Sequence, residues 1–210
     1  MPFTALRRNA RVHHTPSGHG SPGADEPGVV ATTDGLIGRE VDGGCYVDVD
    51  GTPIWHYVAG EQTGSATVLL HGAFGSAANW GAQIPDFIES GLRVYVPERS
   101  GHGHSPDIDA AFTHQAAATQ MIRYLETVVD TPAHLVGWSD GAAIVTMIAA
   151  ARPDLVQRTV VVGQYFHNSG DFDDDFFRLL SDRDPATIEA LRDDYVRFTP
   201  DPDDHFGAIL

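Results

Sequence analysis

The chain has 210 residues and 42% apolar content, enough to bury one sizeable core, so a single globular unit is expected. Its 13 basic residues, all Arg, face 29 acidic ones for a net charge of -16, which argues against phosphate backbones and anionic membrane surfaces as partners. A single cysteine, Cys45, excludes an internal disulfide framework, and no run of roughly 18 or more apolar residues offers a membrane span.

Arg7, Arg8 and Arg11 are followed by Thr, Pro, Ser, Gly and His, with no apolar stretch of the kind a secretory signal needs. A cytoplasmic location is the simplest expectation. Residues 1–40 carry no apolar periodicity that could offset the entropy of ordering them, and they read as a disordered tail. The core is expected over 41–169.

Regular signals begin at Cys45 and run to Val58, where two strand-like halves flank Asp50-Gly51, a dipeptide suited to the positive φ angles of a tight hairpin. Thr67-Val-Leu-Leu-His71 is apolar almost throughout, as a strand buried on both faces must be. A helical stretch follows around Trp80 to Glu89, then the strand Arg93–Pro97 and a polar, glycine-rich turn from Glu98 to Ser105. Ala117, Met121, Leu125 and Val128 recur at helical spacing between Thr113 and Val129. His134–Trp138 reads as a short buried strand, Gly141–Ala151 as an apolar helix stopped before Pro153, and Thr159–Val162 as another strand. Strands alternating with helices give an α/β fold, a doubly wound, mostly parallel sheet behind an N-terminal antiparallel hairpin.

After Gly170 the texture changes. Residues 171–204 contain twelve Asp or Glu and four Arg, yet Phe176, Phe177, Leu179, Leu180, Ile188, Leu191, Tyr195, Val196 and Phe198 repeat at helical spacing. That pattern predicts short amphipathic helices laid over the core as a partial cap, 170–210.

The sharpest local feature is Gly137-Trp138-Ser139-Asp140-Gly141, which ends a buried strand and opens a helix without a spacer. So tight a corner forces its central residue into a strained backbone and projects the side chain beyond the sheet edge; flanking glycines remove Cβ clashes. Ser139 is the candidate nucleophile. Its hydroxyl sits at the positive end of a helix, and the Asp140 N–H points to where an oxyanion would develop. A second donor is expected from the turn His71-Gly72-Ala73-Phe74, with the Ala73 N–H the candidate and Phe74 and Trp138 the candidate substrate contacts.

Leu70-His-Gly-Ala-Phe-Gly-Ser76 with Trp80, then Pro97-Glu-Arg-Ser-Gly-His-Gly-His-Ser105, then Gly137-Trp-Ser-Asp-Gly141, resemble the α/β-hydrolase superfamily in order and spacing. The Gly-Trp-Ser-Asp-Gly variant is similar to the branch of valacyclovir-hydrolase-like and enol-lactonase-like esterases. The resemblance implies an α/β-hydrolase fold and a serine hydrolase of small esters, lactones or amides, needing no cofactor and no metal. It also implies a triad running Ser, then Asp or Glu, then His. The chain passes one strand beyond the elbow, enters what resembles the cap and ends at Leu210. The triad acid and base, with the last strands, are therefore expected to be missing, and the chain is expected to be truncated.

His205 lies in a Pro- and Asp-rich segment and reads as an exposed polar residue; His102 and His104 read as polar turn residues, and His71 as a support for the oxyanion loop. The Asp173-Asp174-Asp175 run reads as a solvated helix start, not a metal site. Asp140 raises a further option, a preference for cationic substrates, against the plainer reading of a carboxylate at a helix N-terminus. Without a base, Ser139 is an ordinary alcohol, and oxyanion and binding effects alone give roughly 10³–10⁴ over water. Two alternatives therefore stand beside the esterase: an inactive module that keeps the fold for binding, and a cofactor-free haloperoxidase or C–C hydrolase on the same scaffold.

Overall fold

The computed structural model describes residues 41–164, 182–197, 199 and 206–207, together with the backbone of 30–31 and 37–38. Its main sheet has six strands: β3 (Cys45–Val49), β4 (Thr52–Ala59), β5 (Ser65–Leu70), β6 (Leu92–Pro97), β7 (Ala133–Trp138) and β8 (Val156–Val162). They lie in the order β3-β4-β6-β5-β7-β8. β3, β4 and β6 pair antiparallel, whereas β6, β5, β7 and β8 pair parallel. The chain has the mostly parallel, helix-flanked sheet expected of an α/β hydrolase.

Within the expected tail, β1 (Val30–Ala31) pairs antiparallel with β2 (Ile37–Gly38), a two-residue ladder that no alternating pattern announces. Asp50 (φ 52°) and Gly51 (φ 84°) form the hairpin turn between β3 and β4, the left-handed pair that matches strand twist.

The parallel strands are joined by helices because each connection must return to the same sheet edge. α1 (Ile84–Glu89), preceded by a 3₁₀ turn at Ala77–Trp80, links β5 to β6; α2 (His114–Tyr124) links β6 to β7; α3 (Asp140–Ala151) links β7 to β8. α2 runs into a π turn at Leu125–Val129 and stops at Asp130, in the left-handed conformation (φ 50°). The side chains of β5 sort by period two. Val68 and Leu70 join Met121, Tyr124, Leu135, Ile144 and Ile148 on one face, and Leu69 joins Trp55, Trp80, Ile84, Val94 and Val96 on the other. Burying each such side chain contributes about 1.5–3 kcal/mol.

β5 connects to β6 on one side, while β7 and β8 lie on the other, so the order of strand addition reverses at β5, beside its carboxyl end. Open α/β sheets bind ligands at such points. α4 (Pro185–Arg197) begins at Asp184, whose carboxylate accepts the Thr187 N–H at 3.0 Å. It carries part of the amphipathic pattern seen in the sequence. The Phe176–Leu180 portion, Asp173–Asp175 and His205 fall outside the described residues.

Candidate active site

The corner between β7 and α3 is built as tightly as its glycines require. Ser139 has φ 52° and ψ -116°, a conformation disfavoured for any residue with a Cβ. A Cβ on Gly137 would overlap the Gly141 carbonyl, and one on Gly141 would overlap the carbonyl oxygens of Leu70 and His71. Both glycines thus let α3 sit directly against the ends of β7 and β5. The Ser139 N–H donates to the Val162 carbonyl at 2.8 Å, tying the corner to β8. Ser139 is half-buried, and its hydroxyl has no hydrogen-bond partner among the described residues.

The turn after β5 brings Ala73 and Phe74 to the same sheet end. Ala73 is exposed, and Phe74 takes a positive φ of 55°. Gly72 packs beneath Trp138; a Cβ there would stand 2.9 Å from the indole. His71 is fully buried. Its Nε2 accepts the Arg99 N–H at 3.2 Å, so its Nδ1–H donates to the Gly72 carbonyl at 2.8 Å. Burial, then the Arg99 charge and His102, hold its pKa well below the imidazole range, consistent with a neutral ring engaged at both nitrogens. This is the supporting role expected of it.

After β6, Glu98 to Ser105 reads as a polar, glycine-rich turn, and within it Glu98, Arg99, Ser100, His102 and Ser105 are buried. Glu98 explains why: its carboxylate accepts the Ala77 N–H (3.0 Å) from the loop after β5 and the His104 N–H from its own turn. A Cβ on Gly103 would strike that carboxylate. His102 donates to the Ser100 carbonyl at 3.0 Å, and burial, with Arg99, lowers its pKa to about 3. It is a neutral core histidine. His104 is the more exposed of the two, stacked on Trp55 at 4.5 Å.

Arg99 is the site residue that the sequence reading missed. Its guanidinium donates to the carbonyls of Gly72 (2.9 Å) and His71 (3.2 Å) and pairs with the Asp140 carboxylate. His114, at the start of α2, reaches the other Asp140 oxygen. Burial pushes the Asp140 pKa up, but the Arg99 charge and hydrogen bond, with His114, outweigh it and hold the carboxyl below its ordinary value. The carboxylate beside Ser139 is thus paired with Arg99 and His114.

A cavity of about 190 Å³ opens beside the corner. Ala73, Phe74 and Asp140 line it with Ile108, Phe112 and Gln120. Ser139 stands next to this cavity and not in its wall, and Trp138 turns its ring toward the Trp55–Trp80 cluster instead. Over the site, the Tyr195 hydroxyl of α4 donates to the Gly101 carbonyl at 2.7 Å, and Phe206 packs between Tyr195 and Phe74. No group of metal-binding side chains occurs among the described residues, and no described helix is long and apolar enough to cross a membrane.

Residues 67–209 match the model of the alpha/beta hydrolase family. The chain belongs to that family. It is 31% identical over 159 residues to the mouse sn-1-specific diacylglycerol lipase ABHD11, covering 75% of this chain and 51% of that protein. It is 32% identical over 105 residues to human Protein ABHD8, covering 49% and 24%. The crystal structure of Cfl2 from Burkholderia cenocepacia shares the fold with a TM-score of 0.60 at 20% identity, over 79% of this chain and 68% of that one. The chain spans about half or less of the length of the two curated relatives.

Proposed function

We propose that this hydrolase acts on small esters, lactones or amides, with Ser139 as nucleophile and the Asp140 and Ala73 N–H groups as oxyanion donors. The observation that carries the reading is the backbone of Ser139: a strained left-handed corner holding out a hydroxyl that no described residue engages. Strain of about 1–3 kcal/mol persists where it serves a site.

In this mechanism the Ser139 oxygen forms a bond to the carbonyl carbon, and the carbonyl electron pair moves onto oxygen between the two N–H donors. Collapse breaks the bond to the alkoxide or amine, which leaves with the proton that Ser139 gave up. Water then releases the acid from the acyl-serine by the same steps. A histidine base must carry the proton. His71 and His102 do not suit that task, being buried, neutral and already hydrogen-bonded. The cavity is lined on one side by Phe74, Ile108 and Phe112 and on the other by Arg99, His114 and Asp140, which suits a small acyl group with an apolar and a polar end.

Turnover of short neutral activated esters by the wild type and by Ser139→Ala tests the reading. It predicts loss of all protein-dependent hydrolysis in the variant. Hydrolysis by neither protein favours a binding module that retains the fold, and equal hydrolysis by both moves the nucleophile to another residue.

A further inference from the structure

We propose that Arg99 is a positioning residue that sets the spacing of the two oxyanion donors, a role that rests on the serine-hydrolase reading above. The Ala73 donor lies on the loop after β5 and the Asp140 donor at the start of α3, after β7. The β5–β7 pairing ends at Leu70 and Gly137, so the strand ladder does not extend to either donor. Arg99 reaches across that gap. One arm of its guanidinium holds the His71 and Gly72 carbonyls, which lead directly into Ala73, and the other holds the Asp140 carboxylate. Its own backbone N–H fixes His71 from behind.

The residue type suits the task. A planar fork can serve two carbonyls and a carboxylate at fixed angles, whereas a lysine ammonium supplies one flexible point charge. Arg99 is only 4% exposed, so the bridge sits in a medium where solvent competes little for it. His114 steadies Asp140 from the cavity side but makes no bond to the β5 loop among the described residues. Displacing a donor by about an ångström costs on the order of 10²-fold in rate, and losing one outright about 10²–10³.

The test compares wild type, Arg99→Met, Arg99→Lys and Asp140→Asn in two measurements. The first is the second-order rate of covalent labelling of Ser139 by a fluorophosphonate, read by intact mass, in which the serine oxygen displaces fluoride from phosphorus. The second is amide hydrogen exchange over residues 71–76 and 139–142. Arg99→Met is expected to label about 10- to 100-fold more slowly and to exchange faster in both segments, with α1 unchanged. Arg99→Lys should recover part of the rate. A general loss of packing would instead raise exchange throughout and lower the melting temperature. Should Arg99→Met fail to fold, Arg99→Lys and Asp140→Asn carry the test. Folded variants that label at the wild-type rate overturn the proposal, as does unchanged exchange over 71–76. A wild type that resists the probe removes the nucleophile itself, a failure distinguishable from that of the bridge.

Discussion

Ser139 holds φ 52° and ψ -116° because glycines on both sides let α3 press against β7. If that strain is retained for the hydroxyl, Ser139→Gly should stabilise the fold by about 1 kcal/mol, since glycine takes positive φ freely. Ser139→Ala should not gain that stability. Thermal unfolding of the two variants checks the difference. The motif was legible in the sequence because a strand, a G-x-S-x-G corner and a helix are all local signals. Arg99 was not legible: its partners His71, Gly72 and Asp140 are 27 to 41 residues away. The burial of His102 was not legible for a related reason, since nothing local in a glycine-rich polar turn shows what covers it.

The buried histidines also fix a pH dependence. In the folded chain His102 titrates near 3 and His71 well below 6.5, while both titrate near 6.5 once unfolded. Between those values the unfolded state binds protons that the folded state refuses, so stability falls as pH drops below about 6.5. Asp140, also depressed, adds to the loss below about 3.8. Denaturant midpoints measured between pH 7.5 and 4 should decline steadily; a flat profile would contradict neutral, buried rings.

Among the elements, β8 stands apart. It pairs only with β7 in the described sheet, and Val160, Val161 and Val162 are 53%, 40% and 47% exposed. An apolar strand left in this state invites pairing with another chain. Val161→Lys should lower self-association measured by sedimentation and leave the melting temperature within a degree or two; unchanged association would assign the contact elsewhere. The strand was readable from the Val-Val-Val run following an elbow. The π turn closing α2 was not, because its residues keep helical spacing across the change in pitch. Nor was the hold of α4 on the site, which runs through the Tyr195 hydroxyl to the Gly101 carbonyl.

Across the whole molecule, the sheet order brings the ends of β5, β6 and β7 together, and the three motif blocks of the sequence become one site. Glu98 and Arg99, adjacent in the chain, divide the work of joining them: Glu98 ties the turn after β6 to the loop after β5, and Arg99 ties that loop to α3. The fold was readable because parallel strands and their helices carry strong periodic patterns. The elbow was readable from local turns, while the charges around it, Glu98 and Arg99, depend on tertiary contact. The proposed nucleophile depends on that whole arrangement, and labelling addresses it most directly. After incubation with a fluorophosphonate of a version of the protein that carries the triad acid and base, peptide mass spectrometry should find a single modified residue, Ser139, and no adduct on the Ser139→Ala protein. A wild type without adduct, or an adduct that survives in Ser139→Ala, would contradict the account.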